Sequence, residues 1–133
     1  MKNLQNNHIL LLCVACIAIF FVNLDALYVN IMEARNFATA REMLTDGNWL
    51  LTTLNGEPRY QKPPLPTWLS AISGAFFGIK SVTAMRLPAA LVTLLLVLTT
   101  YKFTVKFSKN RTLAFVGSLI LSTSFYIVFS GRN

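Results

Sequence analysis

The chain has 133 residues, of which 54% are apolar and only 13% charged, and its mean hydropathy is +0.53. That balance excludes an ordinary soluble domain and points to the membrane class, with room for one domain. The net charge of +7 falls beside apolar runs and not in a stripe on a soluble fold, so it speaks for orientation in a bilayer and against nucleic acid as a partner.

The first apolar run, Ile9 to Val22, reaches the roughly 20 residues a bilayer needs when it continues through Asn23 to Tyr28. A span over about residues 8–28 is predicted. A signal peptide is the competing reading, because Lys2 precedes a short apolar core. No small-x-small site follows that core at a suitable distance and Cys16 lacks a lipobox, so an uncleaved anchor is preferred. Cys13 and Cys16 form a C-x-x-C with neither a thioredoxin-like context nor further zinc ligands, and read as packing residues. His8 reads as interfacial.

The segment 29–85 is polar but patterned. Asn30 followed by Glu33 has the form of a helix N-cap with a capping box. The helix runs through Ala34, Phe37, Ala38, Arg41 and Leu44 and stops at Asp46-Gly47. A second helix starts in Pro64-Leu65-Pro66-Thr67, where proline is tolerated, and runs through Trp68, Leu69, Ile72 and Phe76 to Gly78. Both are too short to span, so they are expected to lie on the membrane surface, with Trp49 and Trp68 at the interface. Further spans are predicted over about 86–105, with Pro88 in the first turn, and about 112–130, where Ser122, Thr123 and Ser124 can bond neighbouring helices. The fold class is therefore an all-α membrane protein, with three transmembrane helices and two short surface helices in the first external loop.

Lys2, Lys102, Lys106, Lys109 and Arg111 belong to the N-terminus and the connection between spans two and three, whereas all five acids lie between Asp25 and Arg86. The positive-inside rule puts the N-terminus in the cytoplasm and the loop 29–85 outside, the periplasm of a bacterium. A multi-pass protein of the inner membrane is expected.

Within that loop, Leu54-Asn55-Gly56-Glu57-Pro58-Arg59-Tyr60-Gln61-Lys62-Pro63-Pro64 is a doubly basic, proline-stiffened segment. The anion most available at a membrane surface is a lipid phosphate. Lys62 supplies a point charge, Arg59 a planar fork and Tyr60 a hydroxyl donor. Attraction of Arg59 and Lys62 to anionic headgroups in general is the plainer alternative. Glu33 has a plain reading too, as the cap partner of Asn30, and the two roles can coexist. Glu42 and Asp46 read as a solvated helix face, and Asp25 as a carboxylate near the interface.

The order Glu33-Ala34-Arg35-Asn36-Phe37, Ala40-Arg41-Glu42-Met43-Leu44, Gly47-Asn48-Trp49, Asn55-Gly56-Glu57-Pro58-Arg59-Tyr60 and Lys62-Pro63-Pro64, then Met85-Arg86-Leu87-Pro88, resembles the N-terminal region of the GT-C membrane glycosyltransferases. The resemblance covers roughly residues 24 to 131. It is nearest to the aminoarabinose transferases that modify lipid A, with the protein O-mannosyltransferases more distant. It implies transfer of a sugar from a polyprenyl-phosphate donor to a lipid, glycan or protein acceptor on the outer side of the membrane. By the same resemblance Glu33 is the catalytic acid, acting as base or positioning the acceptor. Lys62, Arg59, Tyr60 and Arg35 hold the departing lipid phosphate. Relatives often carry an Asp-Glu pair where this chain has Met32-Glu33, and an acid where it has Gln61. Gln61 coordinates a cation only weakly, so no metal site is assigned for the divalent cation that is possible in the family. Members normally continue through many more spans, so the chain is expected to be an N-terminal fragment. A non-catalytic membrane protein retaining polyprenyl-phosphate binding is the alternative.

Overall fold

The computed structural model describes residues 2–60 and 63–132. In chain order these form α1 (Lys2–Phe20), α2 (Ile31–Asp46), β1 (Thr53–Leu54), β2 (Glu57–Pro58), α3 (Leu65–Phe77), α4 (Val82–Ser108), α5 (Arg111–Thr123) and α6 (Phe125–Arg132). Two compact units result. One takes in the chain up to Asn23 and again Ala89–Arg132; the other is Leu24–Pro88.

In the second unit α2 forms where the sequence predicts it. Asn30, in an extended conformation, accepts through its side chain from the Glu33 N–H at 2.9 Å, and Gly47 closes the helix at φ 75°. One face of α2 buries Phe37, Ala40 and Met43 against Ala71 of α3 and Met85 of α4, with Trp68 and Ile79 packed around them. The Trp68 indole N–H donates to the Trp49 carbonyl at 2.8 Å, so this ring, expected at a membrane interface, is also a tie within the unit. Gly74 lets α3 approach Met85, whose Cε would lie 2.9 Å from an added Cβ.

Between α2 and α3 the chain forms a hairpin, which corrects the all-α expectation. Thr53 pairs with Pro58 and Leu54 with Glu57, antiparallel. Asn55 (φ 55°) and Gly56 (φ 79°) make the turn. A type I′ hairpin loop, whose twist matches that of the strands, has positive φ at both positions, and Asn-Gly supplies it at low steric cost.

Pro88 lies inside α4, not in its first turn, because the helix begins at Val82. Its missing N–H frees the Ala84 carbonyl four residues back. Ser73 donates to that carbonyl at 2.6 Å, and Ser70 to the Met85 carbonyl at 3.1 Å. Side chains of α3 thus complete the first turns of α4. At 27 residues, α4 is the one described helix long and apolar enough to cross a bilayer alone.

In the first unit α1 packs against α5 and α6. Leu12, Cys16 and Phe20 are buried at four-residue spacing, as are the small residues Ala114, Ser118 and Ser122 of α5. The helical part of the expected first span ends at Phe20, well short of residue 28. The backbone then turns, with Asn23 left-handed at φ 51°. Arg132 satisfies the released carbonyls, donating to Ile19 and Val22 at 3.0 Å and also to Asn23.

The expected third span is broken as well. α5 and α6 meet at an angle of 60°, with Ser124 extended between them (φ −65°, ψ 135°). Ser122 and Thr123 turn their hydroxyls back onto the Leu119 carbonyl at 2.8 and 3.0 Å. Such bonding competes with the helix ladder and bends it.

Candidate functional site

Helix α2 has a second face. Ile31, Ala34, Arg35 and Ala38 recur at helical spacing, and with Leu54, Asn55, Glu57, Pro58 and Arg59 of the hairpin they line a cavity of about 610 Å³. The helix wall is apolar apart from Arg35, and the hairpin wall carries Arg59 and Glu57.

Arg59 is held from behind. One of its terminal nitrogens, Nη1, donates both to the Arg35 carbonyl at 3.2 Å and to the Thr39 hydroxyl at 3.0 Å. The strand ladder continues beside it, with the Arg59 N–H donating to the Thr52 carbonyl at 2.7 Å and the Thr52 hydroxyl to the Arg59 carbonyl at 3.1 Å. The other edge of the guanidinium, Nε and Nη2, has no hydrogen-bond partner among the described residues. That edge is the paired-donor geometry that matches two oxygens of one phosphate.

Glu33 sits elsewhere. It is buried, and its two oxygens accept from Arg86 Nε at 2.6 Å and Nη2 at 2.8 Å. Arg86 is wholly buried and donates its remaining nitrogen to the Leu24 carbonyl. The capping box is therefore half formed. Asn30 caps the Glu33 N–H, but the Glu33 carboxylate turns away to the α4 arginine. Both oxygens are thus engaged by one buried guanidinium, which makes Glu33 an ion-pair partner within the Leu24–Pro88 unit.

The structure thus brings Arg35 and Arg59 to one cavity and separates them from the Glu33 carboxylate. Tyr60 is 76% exposed and does not line the cavity. Lys62 lies outside the described residues, as does Gln61. Two residues that shape the site are given no site role by the sequence: Arg86 falls at the edge of a predicted span and Glu42 on an expected solvated helix face. The Glu42 carboxylate instead accepts from Thr53, Asn55 and Gly56. The Asn-Gly pair was the available signal for the hairpin.

The carboxylates of Glu33 and Glu42 are taken up by donors, and Glu57 shares its cavity with two guanidiniums. No group of three or more His, Cys, Asp or Glu residues able to hold a metal occurs among the described residues.

Taken together, these features define a mainly helical chain with an apolar span and a cation-lined cavity beside a helix-anchored hairpin. Comparison with known proteins is consistent with that class. The family described as dolichyl-phosphate-mannose-protein mannosyltransferase matches residues 61–133. An undecaprenyl phosphate-alpha-4-amino-4-deoxy-L-arabinose arabinosyl transferase 2 of Proteus mirabilis (strain HI4320) is 34% identical over 98 residues, 74% of this chain and 17% of the relative. A similarly named transferase of Pseudomonas savastanoi pv. phaseolicola is 32% identical over 88 residues, 66% of this chain and 16% of that protein. An uncharacterized protein of Aquifex aeolicus is 28% identical over 124 residues, 92% of this chain and 25% of its own length. The chain belongs to the dolichyl-phosphate-mannose-protein mannosyltransferase family, of the GT-C type. It spans a quarter or less of the length of these relatives. No solved structure matches it.

Proposed function

We propose that this chain forms the phosphate-gripping N-terminal part of a glycosyltransferase that moves a sugar from a polyprenyl-phosphate donor to a lipid, glycan or protein acceptor. The observation that carries the reading is Arg59, anchored on α2 through Nη1 while its Nε–Nη2 edge has no partner among the described residues, in a cavity shared with Arg35. The apolar stripe of Ile31, Ala34 and Ala38 beside those cations suits an amphiphile whose phosphate is followed by hydrocarbon. In the transfer the acceptor oxygen bonds to the anomeric carbon as the bond from that carbon to the phosphate oxygen breaks. The acceptor's proton passes to the Glu33 carboxylate, and the lipid phosphate leaves with the electron pair. Fixed guanidiniums stabilise the charge that develops there. By the family resemblance Tyr60 and Lys62 also belong to the grip, Tyr60 from outside the cavity that Arg35 and Arg59 line.

In this proposal α1 with the residues after it, α4, and the bent pair α5–α6 are the three spans. Helices α2 and α3 lie on the periplasmic surface of a bacterial inner membrane, and the N-terminus is cytoplasmic. The charge asymmetry supports that orientation. Glu33 serves as the catalytic carboxylate when the ion pair with Arg86 opens; while it is closed, Glu33 fixes the first turn of α2, which carries Arg35. A second reading, a chain that binds polyprenyl phosphate without turnover, is favoured by the engagement of both Glu33 oxygens.

The test is binding of undecaprenyl phosphate to the chain in nanodiscs, with uncharged undecaprenol as the control. Saturable binding of the phosphate alone is expected, weakened at least about tenfold by Arg59→Ala, since even one charge-assisted hydrogen bond is worth that much. Equal binding of phosphate and alcohol, or no effect of Arg59→Ala, would overturn the proposal. Binding without sugar transfer selects the second reading.

A further inference from the structure

Glu42 shares the stripe of α2 that carries Arg35 and Ala38, yet it does not line the cavity. Its carboxylate reaches across to the hairpin. One oxygen, Oε2, accepts from the Thr53 hydroxyl at 2.6 Å and from the Gly56 N–H at 3.4 Å, and the other, Oε1, from the Asn55 N–H at 2.6 Å. Asn55 and Gly56 both have positive φ. Successive N–H groups converging in this way form an anion nest. Here the anion is supplied by the neighbouring helix. The Thr53 hydroxyl foremost holds the Glu42 carboxyl below its ordinary pKa; burial opposes it next, and the Asn55 and Gly56 amides add to the lowering, so the group is charged at neutral pH.

The hairpin is thus fastened to α2 at two places. Glu42 holds its tip, and Thr39 with the Arg35 carbonyl holds the guanidinium at its end. Among the described residues, Glu42 is the hydrogen-bonded tie between α2 and the turn itself, apart from the one at the guanidinium. We infer that Glu42 is a positioning residue: by holding the Asn55–Gly56 turn against α2, it sets the direction in which Arg59 presents its Nε–Nη2 edge to the cavity. This rests on the proposal that the cavity takes the phosphate of a polyprenyl phosphate.

The experiment titrates undecaprenyl phosphate in nanodiscs against the unaltered chain, Glu42→Ala, Arg59→Ala and the double variant. Each is checked for helix content by circular dichroism. Glu42→Ala should weaken binding about tenfold, close to the loss for Arg59→Ala, and the double variant should bind no more weakly than Arg59→Ala, because Glu42 acts through that residue. Acetate in the tens of millimolar, matched against chloride for ionic strength, should occupy the vacated nest and restore much of the binding of Glu42→Ala but not of Arg59→Ala. If Arg59→Ala weakens binding but Glu42→Ala does not, or the two losses multiply in the double variant, the inference is wrong. If Arg59→Ala binds like the unaltered chain, the phosphate reading has failed instead. Hydrogen exchange then decides the Glu42 role: the Asn55, Gly56 and Arg59 amides must exchange faster in Glu42→Ala while those of α2 stay protected, and unchanged exchange overturns it.

Discussion

Replacing Arg86 with methionine keeps much of the side-chain volume and removes the charge. The guanidinium is fully buried, Glu33 is 5% exposed, and the two bonds between them measure 2.6 and 2.8 Å. Arg86→Met strands the Glu33 carboxylate in that environment, which costs about 3–5 kcal/mol. It also orphans the Leu24 carbonyl, for about 1–3 kcal/mol more. The loss is therefore at least about 4 kcal/mol, a large part of the roughly 5–15 kcal/mol that holds a typical domain. Removing both charges, in Glu33→Leu with Arg86→Met, leaves no buried ion and should recover at least about 2 kcal/mol relative to Arg86→Met alone. Both tryptophans of the chain, Trp49 and Trp68, fall within Leu24–Pro88, so tryptophan fluorescence during sodium dodecyl sulfate titration in mixed micelles reports on this unit. An Arg86→Met midpoint equivalent to a loss of under about 1 kcal/mol, or a double variant less stable than the single, would refute the argument.

Ser73→Ala should cost about 1–2 kcal/mol in thermal unfolding, because Pro88 cannot serve the Ala84 carbonyl that loses its donor; with Pro88→Ala also present, the restored N–H should remove most of that cost. A full cost in both backgrounds would contradict the role given to the serine. For Glu42 the carboxyl is held below its ordinary value of 4.5, so the unfolded hairpin binds the proton more readily than the folded one. The latch is complete above the ordinary carboxylate range and is lost as pH falls through the lowered value. Protection factors at the Asn55 and Gly56 amides should stay level down to about pH 5 and decline only below it, and a decline beginning near neutrality would contradict the assignment.

Much of the Leu24–Pro88 unit is written in local signals. Asn30 and Gly47 bound α2 because each supplies the backbone geometry and hydrogen bond that a helix end lacks. The prolines before Trp68 mark the start of α3 for the same kind of reason. The hairpin was legible in Asn55-Gly56 but hidden by strands of two residues each, too short to show alternation. The ion pair had no local signal at all, since Glu33 and Arg86 stand 53 residues apart and each had a sufficient local explanation. Glu42 was misread because helical periodicity puts it on a polar face, and only the hairpin shows what that face meets. Hydropathy likewise overran the ends of helices. It passes through Asn23, where the backbone turns left-handed, and through Ser122–Ser124, where the hydroxyls break the ladder. The family resemblance named both Arg35 and Arg59; their meeting in one cavity comes from the register of the hairpin on α2.

The central claim is that the cavity between α2 and the hairpin takes a polyprenyl phosphate. Photo-crosslinking tests it most directly, using a short polyprenyl phosphate with a diazirine on the first isoprene unit, added to the chain in nanodiscs and followed by peptide mapping. The label should fall on the Ile31–Ala38 and Leu54–Arg59 segments, and excess undecaprenyl phosphate should displace it while undecaprenol does not. Labelling confined to α4 or α5, or displaced equally by the alcohol, would contradict the claim.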